Sequence, residues 1–269
     1  MSREKEYGIM FARADEVARV WDVVPRDPQQ IVKHLMKIDE LLDDIETLVN
    51  HDCLFGDPKS RWLVKRQQKK LDIAVTDLAH LYYVPLARFT RAADREQFAH
   101  DAATVVHGVT PRDPDYDEQD EISGMRRMLR EWKVLAQILC VISHDLRAAM
   151  RERPQSEAEL QSIFETLLIA SHIRFVREFP MTTRTLEQRR PDFYFPEIRA
   201  IVEFKCNNSA RRQSAIADEV RADVSYCGDD LRVIFVIYDC GFIRDPQQYA
   251  SNLGSYFTNA LITIEIVKH

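Results

Sequence analysis

Glycine is scarce in this chain, with seven in 269 residues. That argues against a dinucleotide site, which needs closely spaced glycines where backbone meets pyrophosphate. Neither GxSxG nor HExxH occurs, so no nucleophile elbow and no helical zinc-protease motif is present. The five cysteines, Cys53, Cys140, Cys206, Cys227 and Cys240, are odd in number and form no CxxC pair. Several sit in apolar runs, as free thiols in a reducing compartment do, rather than disulfides or zinc ligands. No apolar stretch is long enough to cross a bilayer. The opening Met1-Ser2-Arg3-Glu4-Lys5-Glu6 is too charged for a signal peptide, so a cytoplasmic location without membrane association is expected. Positive charge is also in deficit, at 37 Lys and Arg against 43 Asp and Glu. Any contact with nucleic acid must therefore come from a local patch.

What is present divides into two halves. Residues 1 to 150 carry apolar residues at helical intervals, most clearly Ile31, Leu35, Ile38, Leu41, Leu42, Ile45, Leu48 and Val49. Asp27-Pro28 just before them is a helix start signal. Further helices are expected over 8–22, 59–83, 85–107 and 120–151, with a Pro- and acid-rich loop over 110–118. Trp62, Tyr82, Tyr83 and Trp132 are expected in the core of this all-helical part, whose role would be regulation, sensing or dimerisation. Arg151-Glu152-Arg153-Pro154 breaks the helical pattern and is taken as a linker.

The second half, 155–269, alternates. Ser156-Glu157-Ala158-Glu159 resembles a capping box that opens a helix to about residue 171. Strands are expected at 173–179, 192–195 and 200–206, a helix at 210–225 and a strand at 231–238. The last of these is almost continuously apolar, as a strand buried on both faces should be. A short helix near 246–254 and a strand at 261–267 complete the order α-β-β-β-α-β-α-β. The expected fold is mixed α/β, with a central mixed sheet behind an all-α N-terminal part.

Within that half, Pro191-Asp192 is followed after ten residues by Glu203-Phe204-Lys205. Glu203 and Lys205 are two apart on a strand and project from one face, while Phe204 points to the other. Charges in the middle of an apolar strand are costly unless something pairs with them. Mutual ion pairing is one explanation, and a bound cation is the other. A hard cation such as Mg²⁺ takes oxygen ligands, which Asp192, Glu203 and the Phe204 carbonyl could supply. Lys205 could then hold or deprotonate a water, or neutralise charge growing on a phosphate. Arg184, Arg189, Arg190, Arg199, Arg211 and Arg212 cluster around the motif. They are candidates for contacting nucleic acid, Arg189, Arg190, Arg211 and Arg212 foremost, although most such runs are simply solvated surface.

In these residues the chain resembles the PD-(D/E)xK nuclease superfamily over about 155–269. It is closest to its restriction-endonuclease-like DpnII/MboI branch. The likeness rests on Glu157-Ala158-Glu159-Leu160-Gln161, Asp192-Phe193, Val202-Glu203-Phe204-Lys205 and the stretch from Tyr238-Asp239 through Gly241, Ile243 and Pro246. It implies Asp192 and Glu203 as metal ligands, Lys205 as the catalytic lysine, and an acid on the first helix. Glu157 is the best match for that acid, Glu159 the rival and Glu165 a remoter one. Gln161, Tyr238 and Asp239 are taken as structural. The expected activity is Mg²⁺-dependent endonucleolytic hydrolysis, with Mn²⁺ able to substitute. The expected partner is nucleic acid, DNA before RNA, and a homodimer is expected. By analogy the setting is bacterial defence.

Lys205-Cys206-Asn207-Asn208 departs from the branch, which places basic or Thr/Ser residues after the lysine. Two rival readings come from the same sequence. His51-Asp52, His100-Asp101 and His144-Asp145 invite comparison with HD-type phosphohydrolases, but their spacing is a poor match. The other is a catalytically inactive scaffold that binds protein or nucleic acid through the helical part.

Overall fold

The computed structural model describes residues 2–20, 28–55, 58–87, 90–107, 118–182, 188–224, 231–257 and 261–269. The loop expected at 110–118 lies outside them up to residue 117, as does Arg184. The chain forms two compact units, Met1–Ala136 and Gln137–His269. The division falls inside a helix, Glu118–Cys140, upstream of the Pro154 break.

The first unit is helical. It contains α1 (Arg3–Val20), α2 (Pro28–Phe55), α3 (Pro58–Asp77), α4 (Val84–Ala87), α5 (Ala92–His107) and the first part of α6 (Glu118–Cys140). The stripe on α2 is buried at Ile31, Leu35, Ile38, Leu42 and Ile45. The core is aromatic: Trp132 packs 4.7 Å from Phe98 and 5.2 Å from Tyr83, and Phe11 meets Tyr83 edge-on at 4.9 Å. The helix expected over 85–107 is interrupted. At the break, Thr90 turns its hydroxyl to Tyr83 and to the Ala87 carbonyl, a local bond that competes with the helical ladder. One expectation fails outright. Trp62 is not in the core but 60% exposed, because α3 turns Leu71, Ala74, Val75 and Leu78 inward and Trp62 lies on the opposite side. The Tyr82 side chain lies outside the described residues.

The second unit begins with the end of α6, a π-helical turn at Val141–Asp145 and α7 (Leu146–Ala149). Next come α8 (Glu157–Ala170), β1 (Val176–Arg177), β2 (Met181–Thr182), β3 (Gln188–Arg189), β4 (Phe193–Phe195) and β5 (Ala200–Asn207). The chain then runs through α9 (Arg212–Val224), β6 (Arg232–Asp239), α10 (Pro246–Gly254) and β7 (Ile262–Lys268). The five-stranded sheet has the order β1-β4-β5-β6-β7. Its first three strands pair antiparallel, and β5, β6 and β7 pair parallel. The parallel pairs need crossovers, and α9 and α10 provide them. All eight residues of β6 are buried, as its apolar run requires.

Two layers of helix cover the sheet. On one face Phe164 of α8 meets Phe193 and Phe204, each at 5.0 Å between ring centroids. On the other, Ile216 and Val220 of α9 and Leu253 of α10 pack on Ile201, Val233, Phe235 and Ile237. The strand expected over 173–179 shrinks to two residues, because Glu178 adopts a left-handed conformation (φ 48°) that ends it. The β2–β3 hairpin was not expected. Beyond β6, the buried Asp239 carboxylate accepts the Phe242 and Ile243 N–H groups and the Asn207 amide. That supports the structural reading of Asp239. Truncating Phe164 to Ala opens a hole beneath β4 and β5. The expected loss is about 3–5 kcal/mol of unfolding free energy, measured as a lower urea midpoint at unchanged slope.

Candidate active site

The site forms where β4 begins and β5 runs past it. Phe193 pairs with Val202, so the next step outward sets Asp192 opposite Glu203. Each carboxylate is fixed by main chain. Asp192 accepts the Phe204 N–H at 2.7 Å, and Glu203 accepts the Asp192 N–H. The N–H and carbonyl of one strand residue leave the same edge. The Phe204 carbonyl therefore leaves β5 on the side where Asp192 lies. Phe204 itself is fully buried among the α8 aromatics, so the pleat turns Glu203 and Lys205 to the other face. There Asp223 of α9 meets the Lys205 ammonium at 2.9 Å, and the lysine side chain is only 11% exposed.

The electrostatics follow from crowding three carboxylates around one cation. Burial pushes the Glu203 pKa up to about 8, and Asp192 and Asp223 add repulsion that Lys205 only partly offsets. Burial also raises Asp192, with the Phe204 N–H and Lys205 opposing and Glu157 adding to the shift. Burial alone would lower Lys205, but Asp223, Glu203 and Glu157 outweigh it and hold the group above its ordinary value. Asp192 and Glu203 thus lack positive charge. Among the described residues no three His, Cys, Asp or Glu side chains group as a metal cage. The two carboxylates and the neighbouring carbonyl fit a hard ion that keeps several of its waters, as Mg²⁺ does.

The remaining candidates sort by what they touch. Glu157 accepts the Cys206 N–H at 3.1 Å and Arg212 at 3.0 Å, which ties the start of α8 to β5 and α9. Glu159 closes the cap: its N–H donates to the Ser156 hydroxyl, while its carboxylate accepts the Gln155 N–H. Glu165 pairs with Arg177 at 2.8 Å. Gln161 accepts from Arg177 at 3.0 Å and hydrogen-bonds Asp192. Arg212 is held by Glu157 and Glu219. Arg190, Arg199 and Arg211 are exposed, and the Arg189 side chain lies outside the described residues. In the helical unit, His100 faces Glu4 at 3.3 Å, while the buried Asp101 accepts Gln97 at 2.6 Å. Sequence reasoning missed Asp223. Its signal was available: it falls three residues after Val220 and seven after Ile216, on the buried side of its helix.

Among families of known proteins, the model described as REase_DpnII-MboI, where REase denotes restriction endonuclease, matches residues 123–268. The match covers more than half of the chain and contains every residue of the site. Neither the curated proteins nor the solved structures gave a match.

Two measurements probe this electrostatic arrangement. Glu203 binds its proton more tightly folded than unfolded, from 4.5 up to about 8. The folded state therefore holds the extra proton, and metal-free stability falls as pH rises through that window, by at most ~1.4 kcal/mol per pH unit. Glu203→Gln should flatten the slope in urea titrations at pH 5, 6.5 and 8 and make the variant the more stable at pH 8. Asp223→Asn should lower the Lys205 pKa, read by NMR of the ammonium-bearing side chain.

Proposed function

The chain belongs to the DpnII-MboI family of restriction endonucleases, and from that premise we propose that its C-terminal unit cleaves DNA by metal-dependent phosphodiester hydrolysis. The observation that carries this is the cross-strand register of Asp192 and Glu203, with Lys205 on the Glu203 face. Mg²⁺, or Mn²⁺ in its place, would be held by Asp192, Glu203 and the Phe204 carbonyl. When bound, it supplies an acidified water and neutralises charge on the phosphate.

The chain's own groups do the rest. Asp192 and Glu203 must give up protons to serve as ligands, so activity rises towards alkaline pH. Lys205 stays an ammonium because Asp223 stabilises that form. It orients the water and offsets charge on the scissile phosphate rather than abstracting a proton. Glu157 contributes by position: its bonds to the Cys206 N–H and to Arg212 keep β5 and α9 aligned. Exposed Arg190 and Arg211 contact the backbone of the substrate. A homodimer would bring two such sites to two strands, and defence against foreign DNA is the setting such an activity suits.

The test is cleavage of plasmid, single-stranded DNA and RNA with Mg²⁺ or Mn²⁺. Duplex DNA should be cut, and EDTA should stop it. Asp192→Asn and Lys205→Ala should each lower the rate by roughly 10²–10⁴-fold, the range lost when a charge-stabilising catalytic group is removed. Activity that survives both EDTA and Lys205→Ala would assign cleavage to another site. Light scattering at micromolar concentration should give twice the monomer mass.

A further inference from the structure

α3 has an unusual exposed face. From Lys59 to Lys70 it carries six cations, Lys59, Arg61, Lys65, Arg66, Lys69 and Lys70, and no acid. Removing these six from a chain of net charge −6 leaves −12 on everything else. All six are exposed. A solvated helix surface usually interleaves Glu with Lys at i,i+4 and gains a little from each pair. Here Arg61 and Lys65, Lys65 and Lys69, and Arg66 and Lys70 are like-charged at that spacing, which destabilises a helix standing alone in water.

Lys65, Arg66, Lys69 and Lys70 have no carboxylate partner among the described residues. The acids beside this face are largely engaged. Arg3 holds Glu6 and Asp72 on the Lys65–Lys69 flank, where Glu4 also lies. Asp44 takes the Gln67 amide. The same face exposes two apolar side chains, Trp62 at 60% and Ile73 at 53%. Arg66 lies over the Trp62 ring at 5.6 Å.

We propose that this face of α3 binds the phosphate backbone of duplex DNA. Charge complementarity selects the partner, because a polyanion relieves the repulsion along the helix and releases its own condensed counterions. The stretch from Lys59 to Lys70 rises roughly 16 Å along the axis, long enough to meet several phosphates of the duplex. Trp62, stiffened by Arg66, packs against the sugar edge. The assignment of DNA rests on the endonuclease reading, but the contact is sequence-independent and separate from cleavage.

The experiment is fluorescence anisotropy of the full chain with a labelled duplex in EDTA, across about 50 to 200 mM salt. Replacing Lys65, Arg66, Lys69 and Lys70 together by Ala should weaken binding at least about tenfold and cut the slope of log K against log salt by roughly 2–4. Trp62→Ala should weaken binding about threefold at unchanged slope. If the fourfold variant fails to fold, the single reversals Arg66→Glu and Lys69→Glu read the same slope. A wild-type slope in these variants overturns the proposal. So does tighter binding to single-stranded DNA through the same residues, or a change in oligomeric mass with DNA binding intact. Lys268→Ala, an exposed cation outside both α3 and the site, should bind as wild type does. Cleavage that ignores α3 therefore sinks only this proposal, and α3-dependent binding without cleavage sinks only the endonuclease reading.

Discussion

The structure around the strand pair answers one constraint: two half-buried carboxylates, Asp192 and Glu203, face each other across it with a single ammonium beside them. Neither can be ionised cheaply in that setting. Burial raises both pKa values, the Asp192 charge adds to the shift of Glu203, and Glu157 adds to that of Asp192. Such an arrangement survives only if the backbone around it is held rigidly. The Phe204 and Asp192 N–H groups supply the first restraint by binding the two side chains directly.

The second restraint is a set of polar braces from α8 and α9. Arg177 grips Glu165 and Gln161 of α8, lies over the Phe193 ring at 4.9 Å, and so steadies the Gln161 amide against Asp192. At the start of α8, Glu157 joins the Cys206 N–H to Arg212, which Glu219 holds in turn. Glu157, the acid that the family resemblance adds to the site, thus also joins β5 to α9. On the opposite face Asp223 fixes Lys205. Asp192, Glu203 and Lys205 lie on or beside the strand pair and their supports come largely from helices, an arrangement that holds the pair in register.

The sequence made the strand pair legible because period-2 alternation is strict. Val202, Phe204 and Cys206 are buried on one side, and Glu203 and Lys205 could only face the other. The crossover order was legible because β6 is almost continuously apolar and must be covered on both faces. What escaped depended on contacts distant in sequence. Asp223 lies 18 positions from Lys205, and no local pattern ties them. The short β1 followed from a single left-handed residue, Glu178, whose backbone conformation composition does not announce. Trp62 was misassigned because an aromatic at helical spacing usually packs inward, whereas the inward face of α3 was already filled by Leu71, Ala74 and Val75.

That exposed tryptophan changes how the charge of the whole chain is understood. A nuclease with a net charge of −6 needs somewhere to attract a polyanion. The C-terminal unit meets this need poorly. Arg212 is spent on Glu157 and Glu219, Arg177 on Glu165, and Lys205 on Asp223. Its exposed Arg190, Arg199 and Arg211 are isolated along the chain rather than gathered on one helix. Cations are concentrated on α3, where Lys65, Arg66, Lys69 and Lys70 fall within six residues. Separating attraction from chemistry has a physical advantage. A strong cationic surface beside Asp192 and Glu203 would lower their pKa values and weaken their hold on a cation. On α3 that charge belongs to a different compact unit from the carboxylate pair.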